Sequence, residues 1–184
     1  MVSPLGRSGS SVLAVAAIAA CALGTGGCYD PVHDSEVAAL GGEAPGVSPG
    51  PTHRPGQPCN VCHGGIGPAS LRFSLAGTVS TYIGTSQPAV GAKVVIRDAA
   101  GQLWHATTNE VGNFFILQSD YSPTYPITVP SILDANGMPV KGAQSMTTLD
   151  NREGSCATCH GLTPSTTSVG PVFVYRTLPD GGRL

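Results

Sequence analysis

Short apolar runs alternate with turn residues through the middle of the chain. Six runs are rich in β-branched and aromatic residues, and they occupy residues 71–79, 92–97, 103–107, 113–117, 126–129 and 172–176. Turn signals such as Gly101 and Gly112 separate them, and this punctuation is typical of strands joined by short connections. Few windows keep a 3.6-residue apolar period without glycine or proline, so little helix is expected. The pattern predicts a mainly β fold, with a small antiparallel sandwich over residues 71–132.

The order of glycines, valines and threonines in these runs carries a further signal. Residues 76–79 read AGTV, residues 89–96 read AVGAKVVI, and residues 107–114 read TTNEVGNF. This succession resembles the carboxypeptidase regulatory-like, or prealbumin-like, β-sandwich, whose pattern is G-x-V, V-x-G-A-x-V-x-V, G and T-x-T-x-x-x-G-x-F. The resemblance covers residues 73–117 and implies an Ig-like sandwich. It implies no catalytic residues, because such modules usually serve as scaffold or binding domains and fold alone does not set function.

The N-terminus has the polar and apolar pattern of an export signal. Arg7 precedes an apolar run over residues 12–20. This run has the length of a signal-peptide core and is too short to span a bilayer. The sequence therefore predicts a cleaved signal peptide over residues 1–27 and an exported protein, located in the periplasm or at the outer membrane or cell surface.

Two cysteines near the end of this segment are candidates for lipidation. Residues 18–21 read IAAC and resemble the bacterial lipobox, while residues 25–28 read TGGC and lead into a polar, proline-containing stretch. A lipid on Cys21 or Cys28 would anchor the protein to a membrane. The alternative is an ordinary secretory signal with neither cysteine lipidated.

Residues 28–55 differ in composition from the runs that follow. Glycine, proline, serine and charged residues dominate there, and aromatic residues are almost absent. Such a stretch cannot bury enough apolar surface to fold alone, so we expect a flexible tether. His33 is expected to be free within this tether.

Charge and aromatic content are both low. Charged residues make up 11% of the chain, aromatic residues 5%, and the formal net charge is −2. The sequence has no basic stripe and no basic patch interleaved with aromatic residues, so we expect no nucleic-acid partner. Beyond the signal, no stretch is long and apolar enough for a membrane helix, so membrane association is expected through the lipid.

Two copies of the pattern Cys-x-x-Cys-His flank the predicted sandwich. Residues 59–63 read CNVCH and residues 156–160 read CATCH, and they use four of the 6 cysteines. With 6 Cys and 5 His in 184 residues, chance predicts only about 0.005 copies, so two copies indicate a function. The spacing is the attachment signature of c-type haem. Two thiols capture the vinyl groups of one porphyrin, and the adjacent imidazole is an axial ligand to its iron.

The two motifs resemble those of c-type cytochromes, and because the chain lacks a helical body it is most similar to the extended multihaem members. The resemblance implies two covalently bound haem c groups, one in residues 56–70 and one in residues 133–184. The motif cysteines would form the thioethers and the motif histidines would be the proximal ligands: Cys59, Cys62, Cys156, Cys159, His63 and His160. The resemblance implies an electron carrier that works with redox partner proteins of the envelope, and not an enzyme.

The ligand on the other side of each iron decides what the haem does, because two strong axial ligands leave no open position for a substrate. His53 lies six residues before Cys59 and is the candidate for one haem; the alternative is a solvated linker histidine. Met146 lies ten residues before Cys156 and is the candidate for the second haem; the alternative is a methionine that fills a core gap. His105 is expected on the sandwich surface, unless it reaches over as a ligand.

Two other uses of the cysteines are open. The four thiols of the C-x-x-C pairs would suit one zinc ion, although the histidine after each pair would then have no role. Alternatively, the chain is a non-haem surface β-sandwich, a binding or adhesion module whose C-x-x-C pairs form disulfides, although bridges that close such short loops stabilise little. The sequence contains no nucleophile and base pairing, metalloprotease helix or nucleotide loop.

The final apolar run decides where the second motif lies. If residues 172–176 pair with the sandwich, the second motif is an insertion between two strands, and the two motifs are brought to one end of the scaffold. The alternative is a tail strand that contacts the haem itself.

Overall fold

The structure is a computed structural model, and it describes residues 30–140, 145–151, 153–178 and 180–182. The signal peptide expected over residues 1–27 and the lipidation expected at Cys21 or Cys28 lie outside the described residues. The chain divides into two units, Met1–Val32 and His33–Leu184. Within the described ranges, no helix combines the length and the apolar character needed to cross a membrane.

The described residues form two short helices, six strands and one turn of 3-10 helix. Their bounds are α1 Pro31–Ala39, α2 Cys59–His63, β1 Phe73–Tyr82, β2 Lys93–Arg97, β3 Leu103–Thr107, β4 Asn113–Leu117, β5 Thr128–Leu133, the 3-10 turn Cys156–Thr158, and β6 Val172–Tyr175. The prediction of a mainly β fold is confirmed.

The six strands form two three-stranded sheets, with the orders β4-β1-β6 and β3-β2-β5. Strand pairing is antiparallel except between β1 and β6, which run parallel. Apolar side chains of both sheets meet in one core, including Leu75, Val79, Val94, Ile96, Phe114 and Ile132. The arrangement is therefore that of a small sandwich.

The final strand returns to the sheet, as one of the two alternatives predicted. β6 pairs with β1, with Val172 opposite Val79 and Tyr175 opposite Tyr82, and the two tyrosine rings lie 5.6 Å apart between centroids. The preceding strand, β5, belongs to the other sheet, so the chain between β5 and β6 crosses from one sheet to the other. Such a crossover connection allows β6 to run parallel to β1. The second Cys-x-x-Cys-His motif is part of this crossover.

Strand β5 differs from its prediction over residues 126–129. It begins at Thr128 and ends at Leu133, and it contains Pro130. Proline donates no ladder hydrogen bond, and it is tolerated here because β5 is an edge strand whose register shifts opposite Val95 and Arg97.

The described part of residues 28–55 has defined structure, in contrast to the flexible tether expected there. Helix α1 begins at Pro31, directly after Asp30, whose Oδ1 accepts a hydrogen bond from the Val32 amide at 3.1 Å. Aspartate before proline is a helix-start signal, and Gly41 after the helix, with φ of 70°, is a stop signal. No residue of α1 is buried. The helix therefore adds structure without adding core.

The end of the same segment is tied to the sandwich. Asn113, at the start of β4, donates from Nδ2 to the main-chain carbonyl of His53 at 2.8 Å. The Thr78 hydroxyl on β1 donates to Asn113 Oδ1 at 2.7 Å and accepts a hydrogen bond from the Gly56 amide at 2.7 Å. These bonds hold residues 53–56 against the neighbouring strands β1 and β4.

Candidate functional site

The first Cys-x-x-Cys-His motif forms helix α2. Its last turn closes through a hydrogen bond from the Gly64 amide to the Asn60 carbonyl at 2.8 Å. Because residues three and four apart lie on the same side of a helix, Cys59, Cys62 and His63 share one face of α2. The spacing of the motif therefore presents both thiols and the imidazole in one direction.

That face of α2 looks into a cavity of about 720 Å³, called here the larger cavity. Its volume is within the range of about 300 to 1,000 Å³ that is usual for cofactor pockets. Cys59, Cys62 and His63 line it, and so does His53. Much of the remaining wall is apolar, with Val37, Leu40, Leu71, Phe73, Phe114 and Phe115. The cavity thus combines the motif side chains with an apolar wall suited to a porphyrin.

The ring of His63 is fixed in orientation and in tautomer. Its Nδ1 lies 2.8 Å from the Leu71 carbonyl oxygen, and its ring stacks on Phe73 with centroids 4.0 Å apart and planes 7° apart. A carbonyl only accepts hydrogen bonds, so Nδ1 carries the proton. In the neutral ring, Nε2 then keeps its lone pair and can bind a metal ion.

His53 lies across the larger cavity from His63. The two ring centroids are 6.0 Å apart and the planes are inclined by 80°. A bond of about 2 Å from each nitrogen to a shared metal would place two imidazole centroids roughly 6 Å apart. The residue proposed from sequence as a sixth ligand therefore lies at a suitable separation from the proximal one.

The Nδ1 of His53 is hydrogen-bonded to a carboxylate. Glu43 Oε1 lies 3.1 Å from His53 Nδ1 and 2.9 Å from Arg54 Nε. The hydrogen bond from Arg54 is the main cause of a lowered pKa of Glu43, so this carboxylate stays ionised. The sequence offered no signal for Glu43, because its partners lie ten and eleven residues away.

The second motif begins as a 3-10 turn rather than an α-helix. The His160 amide donates to the Cys156 carbonyl at 2.8 Å, and the Ala76 amide on β1 donates to the Gly154 carbonyl at 2.8 Å. A Cβ on Gly77 would lie only 2.8 Å from Cys156 Cβ. Glycine at this position of β1 therefore makes the space in which Cys156 lies.

His160 repeats the arrangement of His63. Its Nδ1 lies 3.1 Å from the Gly170 carbonyl oxygen, so Nδ1 donates and the neutral ring keeps a lone pair on Nε2. The Val169 amide donates to the Cys159 carbonyl at 2.9 Å, which holds the segment before β6 against the motif. Both motif histidines therefore have a main-chain carbonyl on Nδ1.

The four motif cysteines are free thiols. Burial raises the pKa of Cys59 to about 11 and that of Cys156 to about 12, so the first thiol of each motif is protonated at neutral pH. Cys159, in contrast, is exposed. Across the described ranges, no group of three or more His, Cys, Asp and Glu side chains is placed to hold a metal ion.

The two motifs lie side by side although 92 residues separate His63 from Cys156. Asn60 Nδ2 donates to the Glu153 carbonyl at 2.7 Å, and Gly56 lies directly against the Leu162 side chain. A smaller cavity, of about 450 Å³, lies between them. Residues of both motif segments line it, namely Asn60, Val61, Gly64, Ser155 and Thr158. The return of β6 to β1 thus brings both motifs together.

Three further residues considered from sequence take different places. Met146 is half-buried beside β5, where its amide donates to the Val129 carbonyl at 2.9 Å, and it lines neither cavity. His105 is exposed on β3, in agreement with a surface position. His33, expected to be free in a tether, instead lines the smaller cavity from α1. The helix-start signal before Pro31 would have placed His33 on a helix.

Comparison of the chain with protein-family models, with curated proteins and with solved structures found no match. The functional conclusion therefore rests on the sequence of the two motifs and on the geometry around them.

Proposed function

We propose that the chain is an exported dihaem c-type cytochrome that acts in electron transfer at the bacterial cell envelope. One observation carries the proposal. In both motifs the histidine donates from Nδ1 to a main-chain carbonyl, of Leu71 for His63 and of Gly170 for His160. Each imidazole is therefore oriented and has Nε2 available as an axial ligand.

The residues present fit two covalently bound haem c groups. The motif cysteines would form the thioether bonds, two in each motif: Cys59, Cys62, Cys156 and Cys159. His63 and His160 would be the proximal ligands, and His53 the sixth ligand of the first haem. The apolar wall of the larger cavity supports this assignment, since a porphyrin has a large apolar surface to bury.

The arrangement favours electron transfer over catalysis. When bound, haem c supplies a one-electron iron couple. With His63 and His53 as strong ligands on both sides, the first site has no open position for a substrate. The rings of Phe73 and Phe115 stack 4.8 Å apart next to His63 and extend the apolar wall of the larger cavity. These features support an electron carrier and not an enzyme.

Location and partners follow from the sequence. Covalent haem attachment of this kind requires export, in agreement with the signal expected over residues 1–27. A lipid on Cys21 or Cys28 would hold the protein at the periplasmic membrane face or at the cell surface. Its partners would be redox proteins of the envelope.

The decisive experiment is a covalent haem count. The full-length chain is produced with a cytochrome c maturation system and analysed by haem staining of a denaturing gel and by intact mass. Two haems per chain are expected. A full-length band without haem would overturn the proposal, and zinc in the purified protein, or a mass deficit matching disulfides, would then identify the alternative.

Lipidation is tested separately with labelled palmitate. The chain is expressed as Cys21→Ser and as Cys28→Ser, and label is expected to be lost in one variant only. Label absent from the parent chain would contradict the lipid anchor, and label retained in both variants would contradict its assignment to one of these two cysteines; neither result bears on the haem sites.

A further inference from the structure

We propose that Glu43 is a positioning residue that holds His53 as the sixth ligand of the first haem and, through its negative charge, lowers the reduction potential of that haem. The inference rests on the proposed function and adds to it the residue that tunes one of the two sites.

The first step is the tautomer of His53. A carboxylate only accepts hydrogen bonds, so the 3.1 Å contact from Glu43 Oε1 places the proton on His53 Nδ1. Nε2 then carries the lone pair that a metal ion needs. The same bond fixes the ring orientation, and the separation of 6.0 Å from the His63 centroid suits a shared metal.

The second step is the rigidity of Glu43 itself. Arg54 donates to Glu43 from Nε at 2.9 Å, and its other nitrogens donate to the Leu40 carbonyl at 3.1 Å and to the Gly41 carbonyl at 2.6 Å. Arg54 also donates to Gln57 Oε1 at 2.9 Å. One guanidinium therefore ties the carboxylate to the chain on both sides of it.

The backbone shows the same constraint. Arg54 has a φ of 50°, in the left-handed region that a non-glycine residue rarely adopts. Such a conformation persists only where the surroundings determine it, and here four hydrogen bonds from the guanidinium do so. The neighbouring His53 is held at its carbonyl by Asn113 and at its ring by Glu43.

The third step is a difference in charge between the histidine partners. His63 and His160 donate to neutral main-chain carbonyls, whereas His53 donates to an anionic carboxylate. A carboxylate raises the basicity of a ligating imidazole more than a carbonyl does, because it stabilises positive charge on the ring. A more basic ligand stabilises the oxidised iron, which lowers the reduction potential. Glu43 therefore sets the first haem apart from the second.

The test is Glu43→Gln in the holoprotein. The amide oxygen still accepts a hydrogen bond from His53, but the charge is removed. The reduction equilibrium of one haem is expected to shift about tenfold toward the reduced form, which is about 59 mV for a one-electron couple. The other haem is expected to keep its potential. Spectroelectrochemical titration measures both potentials, and low-temperature magnetic resonance reports the axial ligands.

The matched control is Glu110→Gln, which makes the same chemical change at an exposed position in the β3–β4 turn. It is expected to leave both potentials unchanged. A purely structural role of the loop predicts instead that Glu43→Gln releases His53 and produces a high-spin signal.

The outcomes separate the two proposals. Absence of covalent haem from the parent chain would remove the proposed function itself. Two haems per chain, with neither potential moved by Glu43→Gln or with both moved equally, would overturn the role of Glu43 and leave the proposed function standing.

Discussion

The two motif sites share a five-residue pattern but differ in what surrounds it. In the first site, α2 turns Cys59, Cys62 and His63 toward an apolar cavity, and a second histidine lies opposite. In the second site, a 3-10 turn lies against β1, where Cys156 packs beside Gly77, and Cys159 is exposed.

The features that the two sites share depend on residues close in the chain, whereas the features in which they differ depend on residues distant in the chain. Both histidines donate to a carbonyl downstream in the chain, eight residues on at Leu71 and ten residues on at Gly170. The cavity of the first site, in contrast, is completed by the segment of His53 and by the aromatic residues of β1 and β4. The two sites are therefore equivalent at the motif histidine, and only the first site has the second histidine and the apolar wall opposite it.

Removing the cysteines of one motif at a time has the largest expected effect. Cys59→Ser with Cys62→Ser, and Cys156→Ser with Cys159→Ser, are each expected to leave one haem per chain. The segment of each motif is hydrogen-bonded to β1, through the Gly56 amide for the first and the Gly154 carbonyl for the second, so either site should survive loss of the other. Haem absorbance per protein, with intact mass, measures the result. Loss of both haems from either variant would mean that the side-by-side contacts make the sites interdependent.

Replacing His53 tests whether the first site differs from the second in having a second histidine. His53→Ala is expected to convert one of the two haems to a high-spin form, because the larger cavity loses its second imidazole. The matched control is His105→Ala on the exposed face of β3, which should leave the spin states of both haems as they are in the parent chain. Magnetic resonance and absorption spectra of the oxidised protein measure the spin states. A spectrum of His53→Ala identical to that of the parent would show that another residue is the ligand.

Gly77→Ala acts on the second site through packing. The new Cβ would lie 2.8 Å from Cys156 Cβ and 3.0 Å from Phe114 Cε1, so the turn or the ring must move. The free energy of unfolding is expected to fall by about 1 to 3 kcal/mol. Gly42→Ala is the control, because its Cβ meets nothing within 4 Å, and it should change stability by about 0.5 kcal/mol or less. Urea denaturation of both variants compares them; equal midpoints would contradict the close approach.

Alkaline pH distinguishes the haem-free chain from the loaded one. Burial raises the pKa of Cys59 to about 11 and that of Cys156 to about 12, from an ordinary value of 9.0. The native chain thus keeps protons that the unfolded chain loses. The contribution of the two protonated thiols to the free energy of unfolding is complete below about pH 9 and is lost as the pH rises toward 12. The loss is on the order of 1 kcal/mol per thiol after allowance for partial exposure.

The control for this pH dependence is the haem-free double variant Cys59→Ser with Cys156→Ser. It keeps Tyr121 and Tyr125, whose pKa values burial also raises to about 12, so the thiol contribution is the difference between the two chains. Urea unfolding at several pH values measures it. Thioethers do not titrate, so the loaded protein should lack this part of the alkaline loss; an equal loss in parent and variant would contradict the burial of the thiols.

Particular elements show how far the sequence could predict the fold. Strands β3 and β4 match their predicted bounds to the residue, because a turn with a glycine precedes each of them, Gly101 before β3 and Gly112 before β4. β5 extends past Pro130, beyond its predicted end at residue 129. A strand tolerates such a proline only at a sheet edge, and the sequence does not show which strands are at an edge. Helix α1 was not predicted, although Pro31 and Gly41 mark its ends, because the glycine, proline and serine content of residues 28–55 is typical of a flexible tether.

The candidate site divides in the same way. His53 was selected from its distance to Cys59 in the chain, and the structure brings the two to one cavity. Met146 was selected by the same reasoning and lies instead along β5. Separation in sequence does not tell on which side of a sheet a loop will fold. The same reasoning therefore selected one residue that lines the cavity, His53, and one that does not, Met146.

The sequence by itself determined the strand-rich body and the chemistry of both motifs, because strand composition, turn glycines and the spacing of thiols and imidazole are local properties of the chain. Only the tertiary structure decided that the two motifs lie side by side, that His53 faces His63, and that Glu43 bonds His53. These contacts depend on the parallel return of β6 to β1 and on the fold of residues 40–57 around Arg54. They join residues distant in the chain, and the apolar pattern of a sequence does not encode which distant residues meet.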